Sequence, residues 1–123
     1  IWSESSLAEF HMVLDDEIGR YGFPNIFGPA VSFGGRLLTG INPTNLNPVY
    51  ALNNHQNYFF THGANDQRMY VSHFNFIKNY STKKELKAEY WLIPDGGHVD
   101  SIFLHPEEYG QKMKSFFEKH LSN

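Results

Sequence analysis

The pattern of apolar and polar residues changes twice along residues 1–57, from a strand-like end to a helical stripe and then to an irregular stretch. Residues 1–3 are typical of the end of a β-strand. A stripe of apolar side chains then recurs at helical spacing, at Leu7, Phe10, Leu14, Ile18 and Tyr21. Ser6 and Glu9 have the spacing of a capping box, which predicts that this helix begins there, and Gly22 with Pro24 predicts its end.

The following stretch, residues 23–57, is irregular, with short apolar patches separated by Pro and Asn. One short helix is predicted over residues 29–38 and is ended by Gly40. Asn47 followed by Pro48 predicts a further helix start, because Asn caps helices well and Pro fits the first turn. These residues therefore indicate a helical, loop-rich region.

The second half of the chain is more regular. Residues 58–61 are almost entirely apolar and are followed by Gly63, which predicts a strand covered on both faces. A helical stripe follows at Tyr70, Val71, Phe74, Ile77 and Tyr80. Residues 88–93 predict another strand, and Pro106 begins the last helix. Strand, helix, strand and helix together predict an α/β fold, a three-layer parallel sheet with flanking helices.

The length of 123 residues fits one domain. We expect a single domain over residues 1–123. Within it, residues 7–57 would form a helical, insertion-like region, and residues 58–123 would carry the two loops that end the predicted strands.

Composition narrows the possible functions. The formal net charge is −3 with only 10 Lys and Arg, and no run of like charges offers a basic face, so nucleic acid is not an expected partner. No apolar segment approaches the roughly 20 residues that span a bilayer, so no membrane span is expected. The absence of Cys excludes disulfides, thiolate metal sites and a cysteine nucleophile. These features leave the compartment open, although the cytoplasm is favoured.

Candidate chemistry lies in the two loops that follow the predicted strands. Asp66 stands in "THGANDQRM", and His98 stands in "WLIPDGGHVDSIF". The carboxyl ends of parallel strands share one edge of the sheet, so both side chains are expected within hydrogen-bonding reach there. Gly96 and Gly97 would aim the imidazole by allowing positive φ and close backbone passage.

These two motifs resemble the C-terminal third of the α/β-hydrolase fold, in particular serine esterases and prolyl-oligopeptidase-like peptidases. The resemblance covers residues 58–123 well and residues 1–57 more loosely. It implies that Asp66 is the acid and His98 the general base of a Ser-Asp-His triad. The 32 positions between them leave room for the helix and the strand that this fold requires. The resemblance implies no metal and no cofactor.

The sequence departs from that family in lacking the nucleophile. No G-x-S-x-G elbow is present, although in this fold the serine precedes the acid and the base. We therefore expect a C-terminal fragment of a longer hydrolase, inactive alone, whose partners are the missing N-terminal part and a small acyl ester or peptide substrate. Self-association through an exposed sheet edge, as in a dimer, is also expected.

Other interpretations of the same residues remain open. Asp66 could cap the following helix, and cap or packing roles are favoured for Glu4, His62 and Asp100. A zinc site built from His62, Asp66, His98 and Asp100 lacks a compact two-ligand spacing. The aromatic residues at Phe23, Phe27, Phe33 and Tyr50 could line an acyl pocket or simply pack the helical region. The alternative function is a noncatalytic α/β module used for subunit association.

Overall fold

A three-stranded parallel sheet forms the centre of the fold in a computed structural model that describes residues 1–121. Its strands are β1 (Trp2–Glu4), β2 (Tyr58–Gly63) and β3 (Ala88–Ile93), in the order β1-β2-β3. Every residue of β2 is buried, as expected for the central strand of a parallel sheet. The shared direction places the carboxyl ends of all three strands at one edge.

Helices cover both faces of this sheet. On one face lies α3 (Val71–Lys83), whose Phe74 ring packs 6.2 Å from the ring of Tyr90 on β3. On the other face lies α5 (Pro106–Leu121), whose Phe116 packs against Phe59 and Trp2. A single turn, α4 (Ser101–Leu104), precedes α5. The predicted three-layer α/β architecture is confirmed.

The helical region forms a second compact unit, residues 7–51, while residues 1–6 and 52–121 belong to the unit that contains the sheet. The second unit comprises α1 (Phe10–Arg20), α2 (Gly28–Thr39) and three short 3₁₀ turns, at Asn25–Phe27, Pro43–Asn45 and Pro48–Ala51. Gly40 ends α2 in the left-handed conformation, with φ of 73°.

The predicted capping box at the start of α1 is wrong. The helix begins at Phe10, whose backbone N–H donates to Oδ1 of Asn47 at 3.0 Å. The Ser6 hydroxyl contacts the hydroxyl of Ser3, and the Glu9 carboxylate accepts from the hydroxyl of Tyr50. Both members of the expected box are therefore engaged elsewhere. The helix start predicted at Asn47 is a 3₁₀ turn over Pro48–Ala51.

Candidate active site

Two loops meet at the carboxyl edge of the sheet. The loop after β2 carries Asp66, and the loop after β3 carries His98. Backbone hydrogen bonds join the two loops: Ala64 N–H donates to the carbonyl of Ile93 at 2.8 Å, and Asn65 N–H donates to that of Gly96 at 2.9 Å. These hydrogen bonds hold the two loops against each other at the positions that carry Asp66 and His98.

The structure brings Asp66 and His98 together. Oδ2 of Asp66 lies 2.9 Å from Nδ1 of His98, a normal distance for a charge-assisted hydrogen bond. The Asp66 side chain is fully buried, whereas the His98 side chain is 33% exposed. The pair therefore runs outward from a buried carboxylate to an imidazole that reaches the surface.

The two carboxylate oxygens of Asp66 have different partners. Oδ1 accepts from the backbone N–H groups of Arg68 and Met69, each at 2.8 Å, and Oδ2 faces His98. Burial acts to raise the pKa of Asp66, but hydrogen bonds from Met69, His98, Arg68 and Ser5 outweigh it and hold this pKa below its ordinary value. Asp66 is accordingly an anion at neutral pH.

This anion fixes the tautomer of the neutral imidazole. An ionised carboxylate can only accept, so Nδ1 of His98 must carry the proton that it donates to Asp66. The lone pair of a neutral His98 then lies on Nε2, the nitrogen on the far side of the ring from Asp66. A neutral His98 can therefore accept a proton at Nε2 from a group placed beside it.

The other sequence candidates have separate roles. Nε2 of the buried His62 lies 2.8 Å from the carbonyl oxygen of Met69, and burial lowers the pKa of this imidazole. The Asp100 carboxylate accepts from the Gly97 N–H, and the Glu4 carboxylate accepts from the Ser101 N–H and the Tyr109 hydroxyl. Across residues 1–121, no cluster of three or more His, Asp or Glu side chains could hold a metal ion.

The glycines of this edge are required by close approach. A Cβ on Gly63, at the end of β2, would lie 2.2 Å from the carbonyl oxygen of Gly97. Neither Gly96 nor Gly97 has a positive φ, so that part of the expectation is wrong. The expected close backbone passage is found, since a Cβ on Gly96 would lie 3.0 Å from Cα of Gly63. Val99, directly after His98, has φ of 54°, an uncommon conformation for a β-branched residue.

Sequence reasoning missed Ser5, which follows β1. Its Oγ accepts a hydrogen bond from the backbone N–H of Val99 at 3.4 Å. The sequence offers one signal that could have pointed to this edge, since Ser5 follows a strand end as Asp66 and His98 do. Nothing in the sequence marks it out from Ser3 or Ser6.

Phe23, Phe27 and Phe33 border cavities within residues 7–51. Phe23 and Phe27 border an apolar cavity of about 300 Å³ together with Ile18 and Val31. Phe33 borders a larger cavity of about 620 Å³ that also contains Arg36. These four aromatic side chains are at least half exposed: Phe23, Phe27, Phe33 and Tyr50.

Comparison with solved structures identifies the fold. An esterase from Pyrococcus furiosus matches 96% of this chain with a TM-score of 0.62 and 18% identity, and this chain covers 43% of the esterase. An acylaminoacyl peptidase from Pyrococcus horikoshii matches 96% of this chain with a TM-score of 0.65 and 18% identity. This chain covers 19% of the peptidase. Both have the α/β-hydrolase fold, so this chain has the fold of part of an α/β-hydrolase.

Sequence comparisons add no closer relative. No family model matches the chain, and no curated protein matches it. Within residues 1–121, the helices are too short or too polar to cross a membrane.

Proposed function

We propose that this chain, which has the α/β-hydrolase fold, supplies the acid and the base of a Ser-Asp-His hydrolase. Asp66 is the acid and His98 the general base. The chain spans less than half of the esterase and about a fifth of the peptidase that it resembles. We therefore assign the nucleophilic serine to a part of the protein that precedes these residues.

The observation that carries this proposal is the contact of 2.9 Å between Asp66 Oδ2 and His98 Nδ1 at the carboxyl edge of the sheet. A buried anion that orients a partly exposed imidazole is the arrangement that general-base catalysis by histidine needs. The α/β-hydrolase fold of the two structural neighbours favours hydrolysis over other uses of such a pair.

The chemistry follows from the tautomer. As the serine oxygen attacks the carbonyl carbon of the substrate, its proton moves to Nε2 of His98, and Asp66 stabilises the resulting imidazolium. The tetrahedral intermediate then expels an alcohol or amine, which takes the proton back from Nε2 and leaves an acyl-enzyme. In the second half of the reaction a water molecule attacks the acyl-enzyme, again with His98 as the base, and the carboxylic acid product is released.

The substrate class is an ester or a peptide with an acyl group. The two structural neighbours are an esterase and an acylaminoacyl peptidase, and both reactions begin with attack on an acyl carbonyl. The residues that bind the acyl chain and the oxyanion are assigned here to the rest of the protein, together with the nucleophile. No cofactor is needed for this reaction.

Substitution of His98 tests the proposal in the protein that includes the upstream serine. With short-chain aryl esters as substrates, His98→Ala should lower kcat by about a thousandfold or more, because the serine loses its base. Asp66→Asn should lower kcat by about a hundredfold to ten-thousandfold, because the amide no longer fixes the tautomer. The measurement is steady-state ester hydrolysis, with fluorophosphonate labelling of the serine.

A second acid and histidine pair provides the matched control. Nε2 of His105 lies 2.8 Å from Oδ1 of Asp95, but the Asp95 side chain is 63% exposed. His105→Ala and Asp95→Asn should leave kcat within about twofold, because surface ion pairs contribute little. If His98→Ala retains full activity, or if residues 1–123 alone are labelled by the fluorophosphonate, the assignment is wrong. A protein that has the serine but hydrolyses no acyl substrate would favour the noncatalytic module.

A further inference from the structure

We propose that Glu4, the last residue of β1, is a positioning residue for the loop that carries His98. Its Oε1 accepts a hydrogen bond at 3.2 Å from the backbone N–H of Ser101, the first residue of α4. The catalytic meaning of this inference rests on the proposed function, but the hold of Glu4 on the loop can be tested without any turnover.

The loop that carries His98 does not cap the helix that follows it. Asp100 is the N-cap residue of α4, but its carboxylate accepts from the Gly97 N–H at 2.9 Å and makes no capping hydrogen bond. The N–H of Ser101 needs another acceptor, because Ser101 is fully buried and a buried N–H without a partner is costly. Glu4 supplies this acceptor from 97 positions away in the sequence.

The end of β1 contacts the same loop at a second point. The Val99 N–H donates to the hydroxyl of Ser5 at 3.4 Å. Val99 follows His98 directly and has φ of 54°, a costly conformation for a β-branched residue that persists where surrounding contacts hold it. Glu4 and Ser5 therefore fix the backbone that leaves His98. The orientation of the imidazole towards Asp66 depends on this backbone.

A chain of hydrogen bonds fixes the Glu4 carboxylate in turn. An indole N–H can only donate, so the Tyr109 hydroxyl accepts from Nε1 of Trp2 at 3.0 Å and gives its own proton to Oε2 of Glu4 at 3.3 Å. Trp2 and Glu4 are alternate residues of β1, so their side chains point to the same face of the sheet. The carboxylate is therefore held from α5, which carries Tyr109, while its other oxygen holds the loop.

Glu4 acts on the base through the backbone and is not a second acid. Its two oxygens accept from Ser101 and Tyr109, whereas Nδ1 of His98 bonds to Asp66. Removal of the Glu4 carboxylate should therefore misplace the imidazole and leave both members of the acid and base pair present.

The test compares variants of the full-length protein by NMR. Glu4→Met keeps the length of the side chain but removes the acceptor, so amide exchange at Ser101 should accelerate by about tenfold or more. The downfield resonance of the His98 Nδ1–H, assigned by its loss in His98→Gln, should broaden or move upfield as the hydrogen bond to Asp66 weakens. Glu4→Gln keeps a carbonyl oxygen for Ser101 and should restore both signals.

Another buried glutamate provides the matched control. Glu9 is 5% exposed, and its carboxylate accepts from the hydroxyl of Tyr50, as that of Glu4 does from Tyr109. Glu9 belongs to the helical unit, residues 7–51. Glu9→Met should destabilise that unit but leave Ser101 exchange and the His98 resonance unchanged.

Each outcome then has a distinct meaning. The proposal is overturned by a folded Glu4→Met protein with an unchanged His98 resonance, or by a changed resonance that Glu4→Gln does not restore. Glu4→Ala is read in the same way if Glu4→Met does not fold. If neither variant folds, Glu4 serves the fold as a whole and the positioning role is rejected.

Turnover separates this inference from the proposed function. If ester hydrolysis is present in the protein that contains the serine, Glu4→Met should lower kcat by about ten- to a hundredfold with little change in KM, because the base is misplaced. Glu4→Gln should recover most of this loss. If the His98 resonance responds as expected while no ester is hydrolysed, Glu4 is upheld as the residue that holds the loop, and the proposed function fails instead.

Discussion

At the scale of single residues, Asp66 shows how one side chain serves two purposes. The sequence alone left open whether it caps the following helix or belongs to a triad. The helix α3 has Tyr70 as its N-cap residue and no side-chain cap, so the capping interpretation is wrong. In the structure Oδ1 binds the turn at Arg68 and Met69, while Oδ2 faces His98. The local turn immobilises the carboxylate, so it also orients the oxygen that faces the imidazole.

Gly63 sets how closely the two loops approach. A methyl group on Gly63 would lie 2.2 Å from the carbonyl oxygen of Gly97 and 2.4 Å from that of Gly96, and backbone atoms cannot move aside cheaply. Gly63→Ala should therefore lower the free energy of unfolding by about 3 kcal/mol, the upper end of the usual overpacking cost. It should also displace His98 from Asp66. Denaturant unfolding measures the loss of stability. A rise of the Asp66 pKa towards its ordinary value, followed by NMR titration, reports the displacement of His98.

Gly110 provides the control for this substitution. It lies within α5, and a Cβ there would meet nothing within 4 Å. Gly110→Ala should raise the free energy of unfolding by roughly 0.5–1 kcal/mol through its helix propensity. A Gly63→Ala protein as stable as the unsubstituted chain would contradict the close approach of the loops.

At the scale of elements, the start of α1 depends on a tertiary contact rather than on the local sequence pattern. The capping box at Ser6 and Glu9 was predicted from four consecutive positions. The observed side-chain acceptor for the first turn is Asn47, which lies 37 positions away. Helix ends leave N–H groups without partners, and any well-placed oxygen can satisfy them.

Removal of this distant acceptor should therefore weaken the helical unit. Asn47→Ala should destabilise it by about 1 kcal/mol, the usual cost of losing a capping oxygen. Ser6→Ala, which deletes the capping residue that the sequence pattern favours, should change the stability of α1 by less than about 0.5 kcal/mol. Thermal unfolding followed by circular dichroism measures both. If Ser6→Ala destabilised α1 more than Asn47→Ala does, the capping box would be supported instead.

At the scale of the whole molecule, β1 leaves the sheet open on one side. Among the described residues, β1 pairs with β2 alone, so its outer edge has no strand partner. Such edges pair readily with other chains unless they are protected. Ile1 precedes β1 and is 54% exposed, while its carbonyl accepts from the Phe59 N–H at 2.8 Å.

We therefore expect residues 1–123 to self-associate through the β1 edge. Ile1→Lys should weaken the dimer by roughly tenfold in Kd, because a charge at the edge opposes strand pairing while the bond to Phe59 is kept. Leu121→Lys, at the exposed end of α5, should have no comparable effect. Sedimentation velocity over a range of concentrations measures both, and a monomer at high concentration would contradict the expectation.

The sequence by itself determined the elements and the positions of Asp66 and His98 in the loops that follow β2 and β3. Helical stripes and buried apolar runs depend on neighbours within a few residues, so β2, β3, α2, α3 and α5 were predicted close to their observed bounds. The three-layer fold follows from their order. Asp66 and His98 could be paired in advance because parallel strands end at the same edge.

Tertiary structure alone decided the contacts that join distant segments. Ser5 meets Val99 across 94 positions, and Phe10 meets Asn47 across 37. The periodicity of apolar residues does not predict contacts between residues so far apart in the sequence, because these contacts depend on how the strands and loops pack. The same holds for the backbone at Val99, where a left-handed φ is imposed by its surroundings against local preference. Local pattern determines which element each segment forms, whereas packing determines which distant groups contact one another.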